Sequence, residues 1–496
     1  MIKPEFTQDN LGVALVYNRG ITTYPVAPFS PDAEFVESPW HLSYRPLGPS
    51  KRSNQVYGMV REALYLLGMD RDRFDTSSWN PLSEVIEPGD NVIIKPNLVH
   101  HENPLGFGPE SLVTNGSVVR AIADYAIKAL GGKGTLIIGD GPIQLCTFDK
   151  VLNASGISEL LKFYEDRGFP IELVDLRKAQ SHSRNYRGWR GEPVSIPYHE
   201  AILVRLGEKS ALCPLDICAD RYRVTCYDPA LTRLFHSDGA HDYLVSQRVL
   251  ASDVVINVGK MKTHVRAGIT GAMKNSLGII SDKTCLPHYR VGSPRDGGDE
   301  FEKNDIIKRS YGVFLDHRNR SQNILAKSAF GAAAISCRLL SKYLGGETIW
   351  EGCWPGNDTL WRTIHDVNRV LIYADKKGKI QEVPQRRAMS FIDGIVGGEG
   401  NGPLYPSPKP SGVILAGFNA ASIDAVMATV MGFDFGRIAT ITKALDLRGV
   451  SNQKGAKRIP VISNRPDLIG DLDKQHRILS YVPSRNWDFL ATGQPS

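Results

Sequence analysis

Asp90-Asn-Val-Ile-Ile-Lys-Pro-Asn97 is the stretch on which the fold turns. Its apolar run starts at Asn91 and ends in Lys95-Pro96-Asn97, and proline cannot continue a central strand. The run therefore reads as a short buried strand that hands Lys95 and Asn97 to a loop. After a Gly/Pro-rich loop at 103–110, Thr114 or Asn115 can cap a helix over 117–130, with Val118, Ile122, Ala126 and Leu130 at helical spacing and Gly131-Gly132 closing it. A strand over 135–138 ends in Gly139-Asp140-Gly141-Pro142, a helix over 148–167 stops at Gly168, and a strand follows at 171–175. Strand, helix, strand, helix, strand at this spacing implies right-handed crossovers and a mostly parallel sheet. Ligands bind such sheets beyond the C-terminal strand ends, where Lys95, Asn97 and Asp140 fall.

Outward from that core, Asp253-Val-Val-Ile-Asn-Val258 reads as another buried strand, with Gly259-Lys-Met-Lys-Thr-His264 as the loop after it and a helix starting over 271–277. Helices are expected at 305–314, 323–344 and 360–374, strands at 388–393 and 411–416 around a loop at 394–410, and a helix at 421–431. The first 80 residues, dense in Pro, Ser and aromatics with one helix over 54–67, read as an extension laid over the rest. The expected class is α/β, with two lobes built on mostly parallel sheets, flanking helices and a basic cleft at the strand C-terminal ends. The segments are 1–80 as extension, 81–260 as first lobe with an insertion carrying its own small sheet at about 177–245, 261–310 as active-site loop region, and 311–496 as helical segment and second lobe.

With 496 residues, 42% hydrophobic and 23% charged, the chain has globular composition and length for a large core. Lys plus Arg exceed Asp plus Glu by 59 − 53 = 6, too mild an excess for a dedicated nucleic-acid binder. The longest apolar candidate, 328–337, is interrupted by Arg338 and reads as a core helix and not a membrane span. No apolar region of a secretory signal follows Met1, and seven scattered cysteines suit reduced thiols. A cytoplasmic protein without nucleic-acid or membrane partners is expected.

The densest chemistry is Lys260-x-Lys262-Thr263-His264, with Lys274-Asn275 ten residues on. Three ammonium groups and an imidazole gathered at one strand end repel one another unless an anion or carboxylates join them, so an anionic substrate group is the natural partner. His264 is the candidate general base and Lys262 the second, as base or amine nucleophile. In the run Asp393 to Pro403 the glycines, Gly400 among them, would let backbone N–H groups approach a ligand, while Asp393 and Glu399 offer carboxylates to a divalent metal or to the cations. The run matches neither the phosphate loop nor the dinucleotide register, and its alternative reading is a mobile glycine-rich lid, itself compatible with an active site. His100, His101, His288, Asp299 and Glu300 would make a second oxygen/nitrogen set only if the fold brought them together, whereas Cys213, Cys218 and Cys226 lack zinc or cluster spacing.

Taken in order, Lys95-Pro-Asn-Leu98, Gly139-Asp-Gly-Pro142, Lys260-Met-Lys-Thr-His264, Gly271-Ala-Met-Lys-Asn275 and Asp393 to Pro403, followed by Asp424 and Met431-Gly432, resemble the domain of unknown function family 362 over about residues 90–450. Gly259 stands where members usually show proline. The resemblance implies no assigned reaction. Some members carry a ferredoxin-like domain, but this chain lacks that cysteine array, so no iron–sulfur cluster is expected; the segment 282–300 is similar to a longer bacterial subtype. The expectation is an enzyme using acid/base chemistry, such as isomerisation or metal-assisted group transfer, on a carboxylate- or phosphate-bearing small molecule. His264, Lys262 and Asp140 would be catalytic; Lys95, Asn97, Lys260, Thr263, Lys274, Asn275 and Gly400 would bind substrate. The alternative is an anionic-ligand-binding or scaffold protein without turnover.

Overall fold

The computed structural model describes residues 6–31, 35–39, 54–180, 192–193, 201–303, 305–345, 349–446 and 458–491. Along the chain these form β1 (Val13–Tyr17), α1 (Gln55–Leu66), β2 (Asn91–Pro96), α2 (Gly116–Leu130), β3 (Thr135–Asp140), α3 (Phe148–Ser155), α4 (Ile157–Glu165) and β4 (Glu172–Asp175). There follow β5 (Val254–His264), α5 (Gly271–Asn275), α6 (Ile306–Arg320), α7 (Ile324–Tyr343) and α8 (Leu360–Tyr373). The last elements are β6 (Arg387–Asn401), β7 (Tyr405–Gly417), α9 (Ala420–Val430), α10 (Ala439–Asp446), β8 (Pro460–Ser463) and β9 (Gly470–Asp471).

The class is α/β as expected, and strands from both halves of the chain join one sheet, in the order β9-β8-β1-β7-β6-β5-β2-β3-β4. From β6 to β4 every pairing is parallel, and β7 enters antiparallel between β6 and β1. Because side chains alternate along a strand, Val92 and Ile94 of β2 pack with α1 and α2 on one face, while Ile93 packs with α8 and α9 on the other. Each such fully buried Val or Ile contributes about 1.5–3 kcal/mol, which is why uninterrupted β-branched runs end up in the middle layer.

The chain runs from β2 outward to β3 and β4, then returns to place β5 on the other side of β2 and moves on to β6. Strand order therefore reverses between β2 and β5, and a crevice opens beyond their C-terminal ends. Lys95 and Asn97 leave β2 at that point, and Lys262 and His264 end β5 beside it.

Several expectations need correction. Val13–Tyr17, in the supposed extension, is an inner strand with all five residues buried. Its apolar run is only five residues long, and turn-forming neighbours hide it; residues 1–5, 32–34 and 40–53 of the extension lie outside the described residues. The helix expected over 148–167 is two, because Gly156 takes a left-handed φ of +76° and Phe29 packs where a side chain would project. The basic loop 259–264 is strand throughout, all eleven residues of β5 being buried, held by β6 and by the short antiparallel Gly268–Ile269. The glycine lid is the β6–β7 hairpin, paired to Asn401 opposite Tyr405. Its glycines serve close packing: a Cβ at Gly397, Gly398 or Gly402 would lie 1.8 Å from Tyr481, 2.5 Å from Ser111 or 2.0 Å from Thr263.

The supposed core helix is the largest departure. Of the twenty residues of α7 only Ala334 and Ser341 are buried, and the helix is long and apolar enough to cross a membrane. In the expected insertion, Ala201–Arg205 pairs with Asp242–Ser246 as a separate small sheet, while 181–191 and 194–200 lie outside the described residues.

Candidate functional site

Beyond the β2/β5 crevice lies a cavity of about 730 Å³. Asn97, Asp140, His264, Lys274 and Asn275 line it, as do Lys283 and His288 from the segment after α5, Thr225, Cys226 and Tyr227 from the inserted region, the hairpin tip 401–405, and Arg485.

Its floor is a hydrogen-bonded amide chain. Lys262 Nζ donates to Asn97 Oδ1 at 2.9 Å and to the Leu112 carbonyl at 2.6 Å. Asn97 donates to Asn275 Oδ1 at 2.8 Å, and Asn275 to Asn257 Oδ1 at 2.7 Å. These bonds tie the end of β2 to β5 and α5 at the switch point. Beside them Lys95 pairs with Asp140 at 2.7 Å, both buried, and Asp140 also accepts from the N–H groups of Leu98 and Gly141. Gly278 closes over this pair, where a Cβ would fall 2.0 Å from Asp140 Oδ1. Lys95 and Lys262 thus support the cavity from below, and burial lowers both their pKa values, opposed at Lys95 by Asp140 and reinforced at Lys262 by Lys274 and Lys260.

His264 is 3% exposed. Its Nδ1 faces two donors, the backbone N–H groups of Arg266 at 3.0 Å and Ala267 at 3.1 Å. Backbone N–H cannot accept, so Nδ1 is the lone-pair nitrogen and the proton sits on Nε2. Burial, then the charges of Lys274 and Arg266, hold its pKa well below the usual histidine range, so the ring is a neutral donor. His288 is the opposite tautomer: its Nδ1 donates to the Leu286 carbonyl at 2.7 Å, leaving Nε2 an acceptor, with its pKa pushed down to about 3 by burial and Arg266.

Lys274 projects from the five-residue α5, whose first N–H groups are held by buried Asp424. Burial first, then Arg266, Lys283 and Lys95, lower its pKa to about 7. Lys283, brought down to about 8 by burial, donates to the carbonyls of Leu277 and Ile280. Arg266 is fixed by the Glu351 carbonyl at 2.7 Å and Thr225 Oγ1 at 2.9 Å. Arg338 reaches the cavity from α7, its guanidinium 5.5 Å from the Trp350 ring centre. Among the described residues, Arg266, Lys274, Lys283, Arg338 and Arg485 face one lining acid, Asp140, itself paired, while Arg266 is ion-paired with the Glu351 carboxylate at 3.3 Å. Burial pushes the Cys226 thiol up to about 12, so it stays protonated.

The remaining predicted residues lie elsewhere. Lys260 and Asp393 form a fully buried pair at 3.0 Å, closed by Tyr24, which donates to Asp393 at 2.6 Å, and Asp393 also accepts from the Asn115 N–H near the start of α2. Glu399 accepts from the Val482 N–H and pairs with Lys409. Thr263 donates to the Gly400 carbonyl, pinning the hairpin to β5. None of these five lines the cavity. Of the histidine-acid set, His288 lines it, whereas Asp299 is taken up by Arg290 and Thr359. Among the described residues no three His, Cys, Asp or Glu side chains come together as metal ligands.

Arg266, Lys283 and Arg338 line the cavity without belonging to the sequence-predicted site. Lys283 sits in the segment 282–300 singled out as a subtype feature, which was the available signal; Arg266, two residues past His264, needed only the strand to be followed further. The family model of a domain of unknown function, DUF362, matches residues 92–201 and 222–429. All the lining residues fall in those spans except Arg485 and Asn486. No curated protein matches the chain.

Proposed function

We propose, for a chain that belongs to the DUF362 family, an enzyme that moves a proton on a small carbonyl compound bearing a carboxylate or phosphate, as in isomerisation. The observation that carries this reading is the pairing of Lys274 with a neutral His264 donor in one cavity where cations outnumber carboxylates.

Arg266 and Lys283 supply charge for the anionic group. Lys274, with its pKa about 7, holds a useful fraction of free amine at neutral pH and takes the proton from the carbon beside the carbonyl. As negative charge builds on the carbonyl oxygen, the Nε2–H of His264 donates to it. In a 2-hydroxy carbonyl substrate the Lys274 ammonium then returns the proton to the former carbonyl carbon while the hydroxyl proton passes to the former carbonyl oxygen, so the two carbons exchange oxidation level and no co-reactant is consumed. His264 thus exchanges the base role expected from sequence for that of a donor, and Lys274 becomes the base. The seven free cysteines support a reducing, cytoplasmic setting.

The test is proton exchange in deuterated water, followed by NMR on 2-oxo acids, 2-hydroxy acids and sugar phosphates. Wild type should wash deuterium into one class and Lys274→Met should not. Anion binding without exchange by wild type on any of them would replace this reading with the binding-protein alternative.

A further inference from the structure

We propose that the helical pair α6–α7 seats the protein on an anionic lipid surface. On α7 the residues Leu325, Ala329, Ala332, Ser336, Leu339 and Tyr343 follow one another at steps of four and three, so they form one stripe along the helix. All six are exposed, Leu325 at 80% and Tyr343 at 87%. None is charged, and the stripe runs the full length of a twenty-residue helix, about 30 Å at 1.5 Å per residue. Apolar Ile324, Ile335 and Leu340 flank it, also exposed. A contiguous apolar patch of this kind marks an interaction surface.

Charge selects the occupant. Residues 302–345 hold eight Lys and Arg (303, 308, 309, 318, 320, 327, 338, 342) against three acids (302, 305, 316), a net of 8 − 3 = +5, while the whole chain is only +6. Lys308 is buried, but the other seven are partly or fully exposed, so the segment that carries this exposed apolar face is basic at its surface. A second copy would bring two such +5 segments together and be repelled, whereas an interfacial helix combines an apolar face with flanking basic residues that meet anionic headgroups. Inward, α7 rests on α6 through the small cluster of Tyr311, Leu315, Ala334 and Trp350. Arg338, on the inward side of α7 near buried Ala334 and Ser341, lines the cavity, so the docked helix is also a wall of the candidate site.

The experiment is co-sedimentation of the full chain with phosphatidylcholine vesicles, with and without a phosphatidylglycerol fraction, at low and high salt. Partition onto the anionic vesicles is expected, weakening with salt and falling at least about tenfold in Leu325→Glu/Leu339→Glu. Those positions are exposed, so the variant should keep the wild-type melting temperature. Failure to bind the anionic vesicles, equal binding to both kinds, or a wild-type dimer in light scattering that the variant turns into monomer would each overturn the proposal. Anion binding in the cavity is measured separately, so the proposed chemistry stands or falls independently.

Discussion

His264 ties two backbone N–H groups with Nδ1 and lines the cavity, so its two duties can be separated by substitution. Asparagine places Oδ1 where Nδ1 was and should keep the turn, with stability within about 1 kcal/mol of wild type, while losing the cavity donor. Glutamine or alanine leaves the N–H groups of Arg266 and Ala267 unpaired in a buried turn, and thermal melts should show a loss of about 2–4 kcal/mol. A cavity residue with no packing role would instead leave all three variants equally stable. Lys274 gives a pH signature. Its ammonium is disfavoured in the fold, with pKa about 7 against the ordinary 10.5, so the unfolded chain holds more protons between those values and stability rises with pH across that window. The penalty is complete below pH 7, where both states are protonated. Lys274→Met should therefore melt higher than wild type at pH 6, by on the order of 1–2 kcal/mol after solvent screening, with the gap closing toward pH 10. For the same reason sulfate should bind wild type more weakly as pH rises through 7, and the variant should lose that step while keeping the one near pH 8 that Lys283 supplies; a flat sulfate profile in wild type would contradict the assignment.

At the scale of elements, the buried Lys260–Asp393 pair joins β5 to β6 and, through Asn115, to the start of α2. Asp393→Asn strands an ammonium in the interior and should cost about 3–5 kcal/mol in denaturant melts. Sulfate affinity of the remaining folded protein should be unchanged, because neither residue lines the cavity; a lost affinity would put them back in the site. The same pair shows what sequence could convey. The residues Asn91 to Asp175 spell out β2, α2, β3 and β4 because each apolar run there is bounded by proline or glycine and α2 has its Asn115 cap and Gly131 stop. The Lys260-x-Lys262-x-His264 pattern marked the right strand end, but a bulge between Lys260 and Lys262 sends Lys260 toward Asp393 and Lys262 toward Asn97, and no one-dimensional spacing reveals a register shift. Glycines at 397, 398 and 402 read as flexibility because their cause, a close approach by Tyr481, Ser111 and Thr263, comes from distant sequence. α7 misled in the opposite sense: apolar composition signals burial only if something covers it.

For the whole molecule, the order of the sheet decides how it unfolds. β1, from the first twenty residues, lies between β7 and β8, and β6 lies between β7 and β5, so the two ends of the chain and its middle share one run of hydrogen bonds. The core on each face draws on strands from both halves, Val13 and Val461 with Ile93 on one, Ala14 and Phe391 with Val92 on the other. Sequence order suggests two lobes because the strand-rich stretches are far apart in the chain, and chain separation says nothing about neighbours in a sheet. A fragment ending before β6 would expose the long edges of β5 and β1 together with the apolar faces that α8 and α9 cover. Residues 1–330 expressed alone should therefore aggregate, and calorimetry of the full chain should show the sheet melting in one cooperative transition, its calorimetric and van't Hoff enthalpies agreeing. The α6–α7 pair, which holds to the rest through few buried side chains, should open first, and hydrogen exchange should show its amides exchanging well before those of β1, β2 and β5. If β2 to β4 instead exchanged in one unit and β1, β7 and β8 in another, with two resolved heat peaks, the shared sheet would not be the cooperative unit and the crevice between β2 and β5 would sit near a seam free to move.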